Sequence, residues 1–212
     1  MTRVLMLTGP KTCGKDTAAA HLLSLSYPRT SVSPFRKLQF AGAVKAFAMD
    51  MFGYSFDQME DGTLKEAQTA EWPYLAPRWP LMDIANWMRD KYGPNVHACR
   101  ARRIIMEHRG ADDEPWAWVI PDLRFPDDEL PIIRGLDAET LVVYIHRDKA
   151  EESLTSAKLK GDAMALNPSE AYYAKLREEA DVVLTNEEGK PWELKNKIVS
   201  YVRNEWGYWY GG

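Results

Sequence analysis

The run Gly9-Pro10-Lys11-Thr12-Cys13-Gly14-Lys15-Asp16-Thr17 constrains this chain more than any other. It follows directly on the apolar Val4-Leu5-Met6-Leu7 and leads into an alanine-rich stretch, residues 17–24, of helical character. A strand, a glycine-bearing turn, a lysine and a helix in that order make a cradle for an anion. Gly9 and Gly14 let the backbone turn tightly and aim successive N–H groups at one point. The helix adds its unpaired first N–H groups and the positive end of its dipole. Lys15 supplies a full positive charge for β- and γ-phosphates. The pattern is that of a phosphate-binding loop, with Gly9, Lys11, Thr12, Cys13, Gly14, Lys15, Asp16 and Thr17 as the positions that would meet a nucleoside triphosphate.

One position departs from the usual form. A Ser or Thr normally follows the lysine and holds Mg²⁺ through its hydroxyl. Here Asp16 stands in that place and Thr17 comes one step later. A bare carboxylate beside phosphates is repelled. It is tolerated if it faces Mg²⁺, directly or through water, and it suits a helix N-terminus.

Composition narrows the rest. At 212 residues and 45% hydrophobic content, the chain can build one α/β domain with a full core. Its 27 basic and 31 acidic residues leave a net charge of −4, which argues against a protein that coats nucleic acid. Cys13 and Cys99 are the two cysteines and lie far apart, so no disulfide framework is expected and a reducing cytoplasm fits. Cys13 reads either as packing within the loop or as an oxidisable thiol. No leader peptide is expected, because the chain enters its first strand at once, and no apolar run reaches membrane-spanning length. His97, Cys99 and His108 match no zinc spacing.

Four further apolar segments read as strands: residues 30–33, 116–120, 140–145 and 181–185. Their near-continuous apolar character suits parallel strands covered on both faces. Helical patterns separate them, so the alternation predicts a three-layer α/β sandwich. Residues 36–109 form a long insertion, with helices over 38–52, 81–91 and 96–108 and an irregular acidic stretch over 57–71; they would make a substrate-binding subdomain. Residues 148–179 are polar and suit a mobile lid. The core would then be residues 1–35, 110–147 and 180–206. Its last helix opens at Pro191, with Leu194, Ile198 and Val202 on one face.

A second constellation lies in Val119-Ile120-Pro121-Asp122-Leu123-Arg124-Phe125-Pro126-Asp127-Asp128-Glu129. An acid and an arginine just past a buried strand sit where open α/β sheets bind ligands. Asp122 would orient Mg²⁺ or its water, or accept a substrate hydrogen bond. Arg124 offers a bidentate fork for phosphate; its competing use is a surface pair with Asp127 or Asp128. In Trp72-Pro73-Tyr74-Leu75-Ala76-Pro77-Arg78-Trp79-Pro80 the prolines keep the segment extended. Its rings can stack on a nucleobase while Arg78 reaches a phosphate, or they can plug the core. Lys45 points either into the site or to solvent. Arg147, ending the clearest strand, would stabilise charge on a transferring phosphoryl group. Thr185-Asn186 ends the last strand, where Asn186 would meet a base. The aromatic end, residues 206–212, would dock on the domain, form a dimer contact or cover the site.

These motifs together resemble the deoxynucleoside monophosphate kinases of tailed bacteriophages, members of the P-loop kinase superfamily. Gly14-Lys15-Asp16-Thr17, Phe40-Ala41-Gly42 with Lys45, and Arg78-Trp79-Pro80-Leu81-Met82 carry the resemblance. So do Pro121-Asp122-Leu123-Arg124 and Ala180-Asp181-Val182-Val183-Leu184-Thr185-Asn186. The resemblance implies a five-stranded parallel sheet with helices on both faces, ATP and Mg²⁺, and a deoxynucleoside monophosphate as acceptor. A phage origin would place the protein in the host cytoplasm, with no nucleic-acid or membrane partner and a possible homodimer. On this reading Lys15 and the loop hold the donor, and Asp16, Thr17 and Asp122 organise Mg²⁺. Lys45, Trp72, Arg78, Asp122 and Arg124 meet the acceptor. Arg147, or Lys158 or Lys160 of the lid, neutralises developing charge. The alternatives are a P-loop kinase for another small phosphate ester or alcohol, of the dephospho-coenzyme A or phosphomevalonate type, or a nucleotide-dependent ATPase or switch.

Overall fold

The computed structural model describes residues 1–26, 33–70, 72–111, 115–161 and 171–207. In chain order the elements are β1 (Arg3–Thr8), α1 (Lys15–Ser24), β2 (Phe35–Lys37), α2 (Gly42–Phe52), α3 (Phe56–Glu60), α4 (Gly62–Glu66), α5 (Arg78–Tyr92) and α6 (Val96–Glu107). There follow β3 (Ala117–Ile120), α7 (Pro126–Arg134), β4 (Glu139–His146), α8 (Asp148–Leu159), α9 (Tyr173–Glu178), β5 (Val182–Thr185) and α10 (Pro191–Trp206). The chain divides into two compact units. One comprises Met1–Leu38 with Arg102–Gly212, the other Gln39–Ala101.

The larger unit is built on a five-stranded sheet in the order β2-β3-β1-β4-β5, with every neighbouring pair parallel. This all-parallel α/β topology, with its glycine loop between β1 and α1, is the five-stranded architecture expected from the sequence. β1 lies at the centre, with Leu5 opposite both Val119 and Leu141. Covered on both faces, it carries four successive residues, Val4 to Leu7, with no exposed surface. Alternation then sorts the side chains. Leu5, Leu7, Val119, Val143 and Ile145 pack with Ala18, Ala19 and Leu22 of α1 and with Leu194, Ile198 and Val202 of α10. Each fully buried Leu, Ile or Val side chain among these contributes about 1.5–3 kcal/mol. On the opposite face, His108 meets the ring of Trp118 edge-on at 5.4 Å.

Strand boundaries follow the sequence closely for β3, β4 and β5, and α10 opens at Pro191 as expected. The second strand does not. Residues 30–32 of the expected strand lie outside the described residues, Ser33 is not in a strand, and the sheet instead takes Phe35–Lys37. β2 is an edge strand with only Phe35 buried, so its Arg36 and Lys37 hide it from any apolar pattern. Its ladder is extended by bonds from Ala117 N–H to Pro34 O and from Leu38 N–H to Val119 O. Residues 148–179, expected to form a lid, contribute α8 and α9; residues 162–170 of them, and 208–212 of the aromatic end, lie outside the described residues. Among the described residues no helix is long and apolar enough to cross a membrane.

The smaller unit is helical. α2 begins at Gly42, four residues later than its pattern suggested, and stops at Gly53, whose left-handed φ of 69° lets its N–H return to Met49 O. The stretch expected to be irregular holds two short helices. Ser55 and Gln58 exchange a capping box at the start of α3, and the Asp61 carboxylate takes the N–H groups of Thr63 and Leu64 at the start of α4. Ala48, Tyr54 and Met59 form its core, with Phe52, Leu81 and Ile84 against them.

Candidate functional site

The turn after β1 has the backbone its sequence demands. Gly9 sits at φ 134° and Gly14 at φ 112°, conformations that disfavour any side chain. A Cβ at Gly9 would lie 2.5 Å from Ile145 O, and one at Gly14 would lie 2.5 Å from Asn186 Nδ2. Thr12 also takes a left-handed φ, 67°. Gly14 starts α1 with no side-chain cap, so the first N–H groups of the helix face the loop. Lys15 is buried, and its Nζ reaches Pro10 O at 3.4 Å, a long bond that an incoming phosphate can outcompete. Cys13 is fully buried in the core around α1 and α10. Burial pushes its thiol up and only partly yields to the charge of Lys15, so the reading as a packing residue holds and a reactive thiolate does not.

Two residues from distant strand ends close the loop's flank. Asn186 donates its Nδ2 to Cys13 O at 2.8 Å and its backbone N–H to His146 O at 2.8 Å. Arg147 donates Nη1 to Thr12 O at 3.0 Å. Together with Thr12, Gly14, Asp16 and Thr17 they line a cavity of about 280 Å³, completed by Glu187, Gly189 and Pro191. The structure therefore gathers six of the residues singled out in the sequence around one opening beside the phosphate loop. The last three lining residues were not among the site residues read from the sequence, where Pro191 stood only as the start of the last helix. Their signal was a glycine turn between a strand and a Pro-initiated helix, in the position where Asn186 was already noted.

Asp122 and Arg124 follow β3, and this segment is anchored to β1. The Thr8 hydroxyl, fully buried, donates to Leu123 O at 2.8 Å, and Leu123 N–H returns to Leu7 O at 3.4 Å. The acid that serves this segment is one the sequence reading did not single out. Glu129, 1% exposed, accepts the backbone N–H groups of Arg124 at 2.8 Å and Phe125 at 3.0 Å through Oε2. Of Arg124's two suggested surface partners, Asp127 is paired with Lys175.

At the end of β4 a polar cluster joins that strand to α8 and α9. His146 lies between Glu151 Oε1, 2.7 Å from Nδ1, and Asp148 Oδ1, 2.8 Å from Nε2. Burial opposes its charge, but the two carboxylates outweigh this and raise its pKa above the ordinary value. The hydroxyl of Tyr144 donates to the same Glu151 oxygen at 3.1 Å, and Arg177 of α9 lies 3.9 Å from the other.

Lys45, Trp72 and Arg78 belong to the smaller unit. Lys45 Nζ donates to Glu60 Oε1 and to Gln39 Oε1. Arg78 pairs with Glu66 at 2.9 Å. Trp72 is 61% exposed, tilted against Phe52 at 5.6 Å, so it is no core plug. His97 is buried near Ala85 O and His108 packs on Trp118, and the described residues contain no group of three or more His, Cys, Asp or Glu side chains able to hold a metal. Mg²⁺ needs no such cage. It keeps its waters and binds through one or two carboxylates plus substrate phosphates, and the hard oxygens of Asp16, Thr17 and Asp122 suit it.

No family model and no curated protein matches the chain. Among solved structures, the shikimate kinase from Acinetobacter baumannii in complex with shikimate matches at 13% identity and TM-score 0.46, over 96% of this chain and 94% of that one. The dephospho-CoA kinase from Campylobacter jejuni matches at 16% identity and TM-score 0.49, over 97% and 98%. The YorR protein from Bacillus subtilis, in complex with phosphorylated GDP, matches at 16% identity and TM-score 0.36, over 97% and 98%. At these scores the likeness is loose, and no substrate is taken from it.

Proposed function

We propose that this chain is an ATP-dependent phosphotransferase that converts a deoxynucleoside 5′-monophosphate to its diphosphate. The observation that supports the transferase reading is the glycine loop, with buried Lys15 at its end and the Arg147–Asn186 cavity at its side. The choice of acceptor rests on the order of motifs shared with phage deoxynucleoside monophosphate kinases.

An oxygen of the acceptor phosphate attacks the γ-phosphorus in line. The bond from γ-phosphorus to the β,γ-bridging oxygen breaks, and ADP leaves with that electron pair. A phosphate oxygen is already nucleophilic near neutral pH, so no strong base is required, and catalysis comes from positioning and charge stabilisation. Lys15 and the loop N–H groups hold the donor phosphates, and the cavity beside them takes the nucleoside. Asp16, Thr17 and Asp122 would hold Mg²⁺, which neutralises phosphate charge when bound. Arg124 grips the acceptor phosphate. Arg147, or Lys158 or Lys160, offsets the charge that develops on transfer. For Lys45, Trp72 and Arg78 the acceptor role rests on the sequence reading alone and is tested by substitution.

The test is a coupled ATP-to-ADP assay with Mg²⁺ against the four deoxynucleoside monophosphates and their ribose counterparts. Acceptor-dependent ADP formation supports the reading and reports base and sugar preference together. ADP formed without any acceptor would turn the assignment to an ATPase or switch.

A further inference from the structure

We propose that Glu129 is a positioning residue for Arg124, and through it for the acceptor; this rests on the phosphotransferase reading above. Arg124 is held from both sides of its backbone. On its N-terminal side, Leu123 is bonded to Thr8 Oγ1 and Leu7 O of β1, the strand that runs directly into Gly9. On its C-terminal side, Glu129 Oε2 takes the N–H of Arg124 itself and of Phe125, while Glu129 N–H donates to Phe125 O at 2.8 Å. The root of the guanidinium arm is thereby tied to the strand that carries the phosphate loop.

A plain helix cap does not require this arrangement. α7 has Phe125 at its N-cap with no capping side chain, and a Ser or Asp there would have served while staying solvated. Asp127 and Asp128 already lie in its first turn, with Pro126 at its start. Burying the Glu129 carboxylate instead is expensive unless its hydrogen bonds compensate, and those bonds converge on the two residues around the arginine's root. Holding a recognition side chain by fixing its backbone lowers the ordering cost of each binding event.

A double-mutant cycle separates positioning from capping. Glu129→Ala, Arg124→Ala and the double variant are compared with wild type for kcat and for both KM values, with thermal melting of each. Loss of charge-assisted bonds predicts that Glu129→Ala lowers acceptor kcat/KM by about tenfold or more while the KM for ATP moves by less than about twofold. In the Arg124→Ala background the same change should cost less than about twofold. Equal losses in both backgrounds would overturn the proposal and leave Glu129 a structural cap. If Glu129→Ala melts below the assay temperature, Glu129→Asp, which draws the carboxylate back by one methylene, enters the same cycle with the same criterion. A wild-type protein without acceptor-dependent turnover, or an Arg124→Ala variant with unchanged kinetics, sinks the underlying reading instead, and the two failures are told apart.

Discussion

Arg147 donates through Nη1 to the carbonyl oxygen of Thr12 at 3.0 Å, joining the first residue beyond β4 to the phosphate loop. Its Nη2 lies 3.7 Å from Glu188 Oε1, and Arg147 lines the same cavity as Gly14 and Thr12. Arg147→Ala should therefore raise the KM for ATP by about tenfold, the scale of a lost hydrogen bond to a charged group, and leave the acceptor KM unchanged. Arg147→Lys should recover only part of this, because a point charge cannot reproduce the planar fork. An unchanged ATP dependence in both variants would remove Arg147 from the donor site.

Lys15→Ala should cut turnover by about 10²–10³-fold or more, the scale seen when one transition-state contact is removed. The fold should survive, because among the described residues the lysine side chain is held by one long hydrogen bond, to Pro10 O at 3.4 Å. Circular dichroism and the coupled assay check both halves, and near-normal activity would sink the assignment of the loop.

The two loop glycines should not be equally sensitive. At Gly9 a methyl group would strike the backbone oxygen of Ile145, which cannot swing away, and the buried sulfur of Cys13. At Gly14 it would strike the Asn186 amide and Leu194 Cδ2, both side-chain ends. Gly9→Ala should cost about 3 kcal/mol or more, and Gly14→Ala about 1–3 kcal/mol. Gly14→Ala should also break the Asn186–Cys13 bond and weaken ATP binding. Denaturant melts of the two variants, with ATP titrations, check this order; a Gly14→Ala variant that loses more stability than Gly9→Ala would overturn it.

How much of this was legible in the sequence depends on what each residue answers to. Val4 to Leu7 and residues 140–145 declared themselves, because strands buried on both faces must be apolar throughout. The phosphate loop did so too, because glycine at φ 134° and 112° has no substitute. β2 did not, since an edge strand can be two-thirds charged and still pair. Glu129 did not, since its role is set by a backbone fold-back that no spacing announces. Its only sequence trace is an acid just inside a helix opened by Pro126. The His146 cluster was hidden for a related reason: Tyr144, His146, Asp148 and Glu151 lie within eight residues, but across the end of a strand and the start of a helix, and Arg177 joins them only through α9.

The His146 cluster gives the protein a pH dependence of definite sign. Glu151 and Asp148 of α8 flank the imidazole, Tyr144 of β4 donates to Glu151, and Arg177 of α9 opposes from the other side. Burial and the neighbouring carboxylate push the Tyr144 hydroxyl far up, so it stays a donor throughout. The folded pKa of His146 stands above its ordinary value of 6.5, so the charged form is the one that favours the fold. That stabilisation is complete below pH 6.5 and is lost as pH rises through the folded pKa. His146→Gln keeps a hydrogen-bonding side chain but cannot carry the charge. Melting curves from about pH 5 to about pH 8 should show wild type losing its advantage over His146→Gln as pH rises. Parallel curves across that range would mean that folding does not shift the pKa of the ring and that the flanking carboxylates give its charged form no net advantage in the fold.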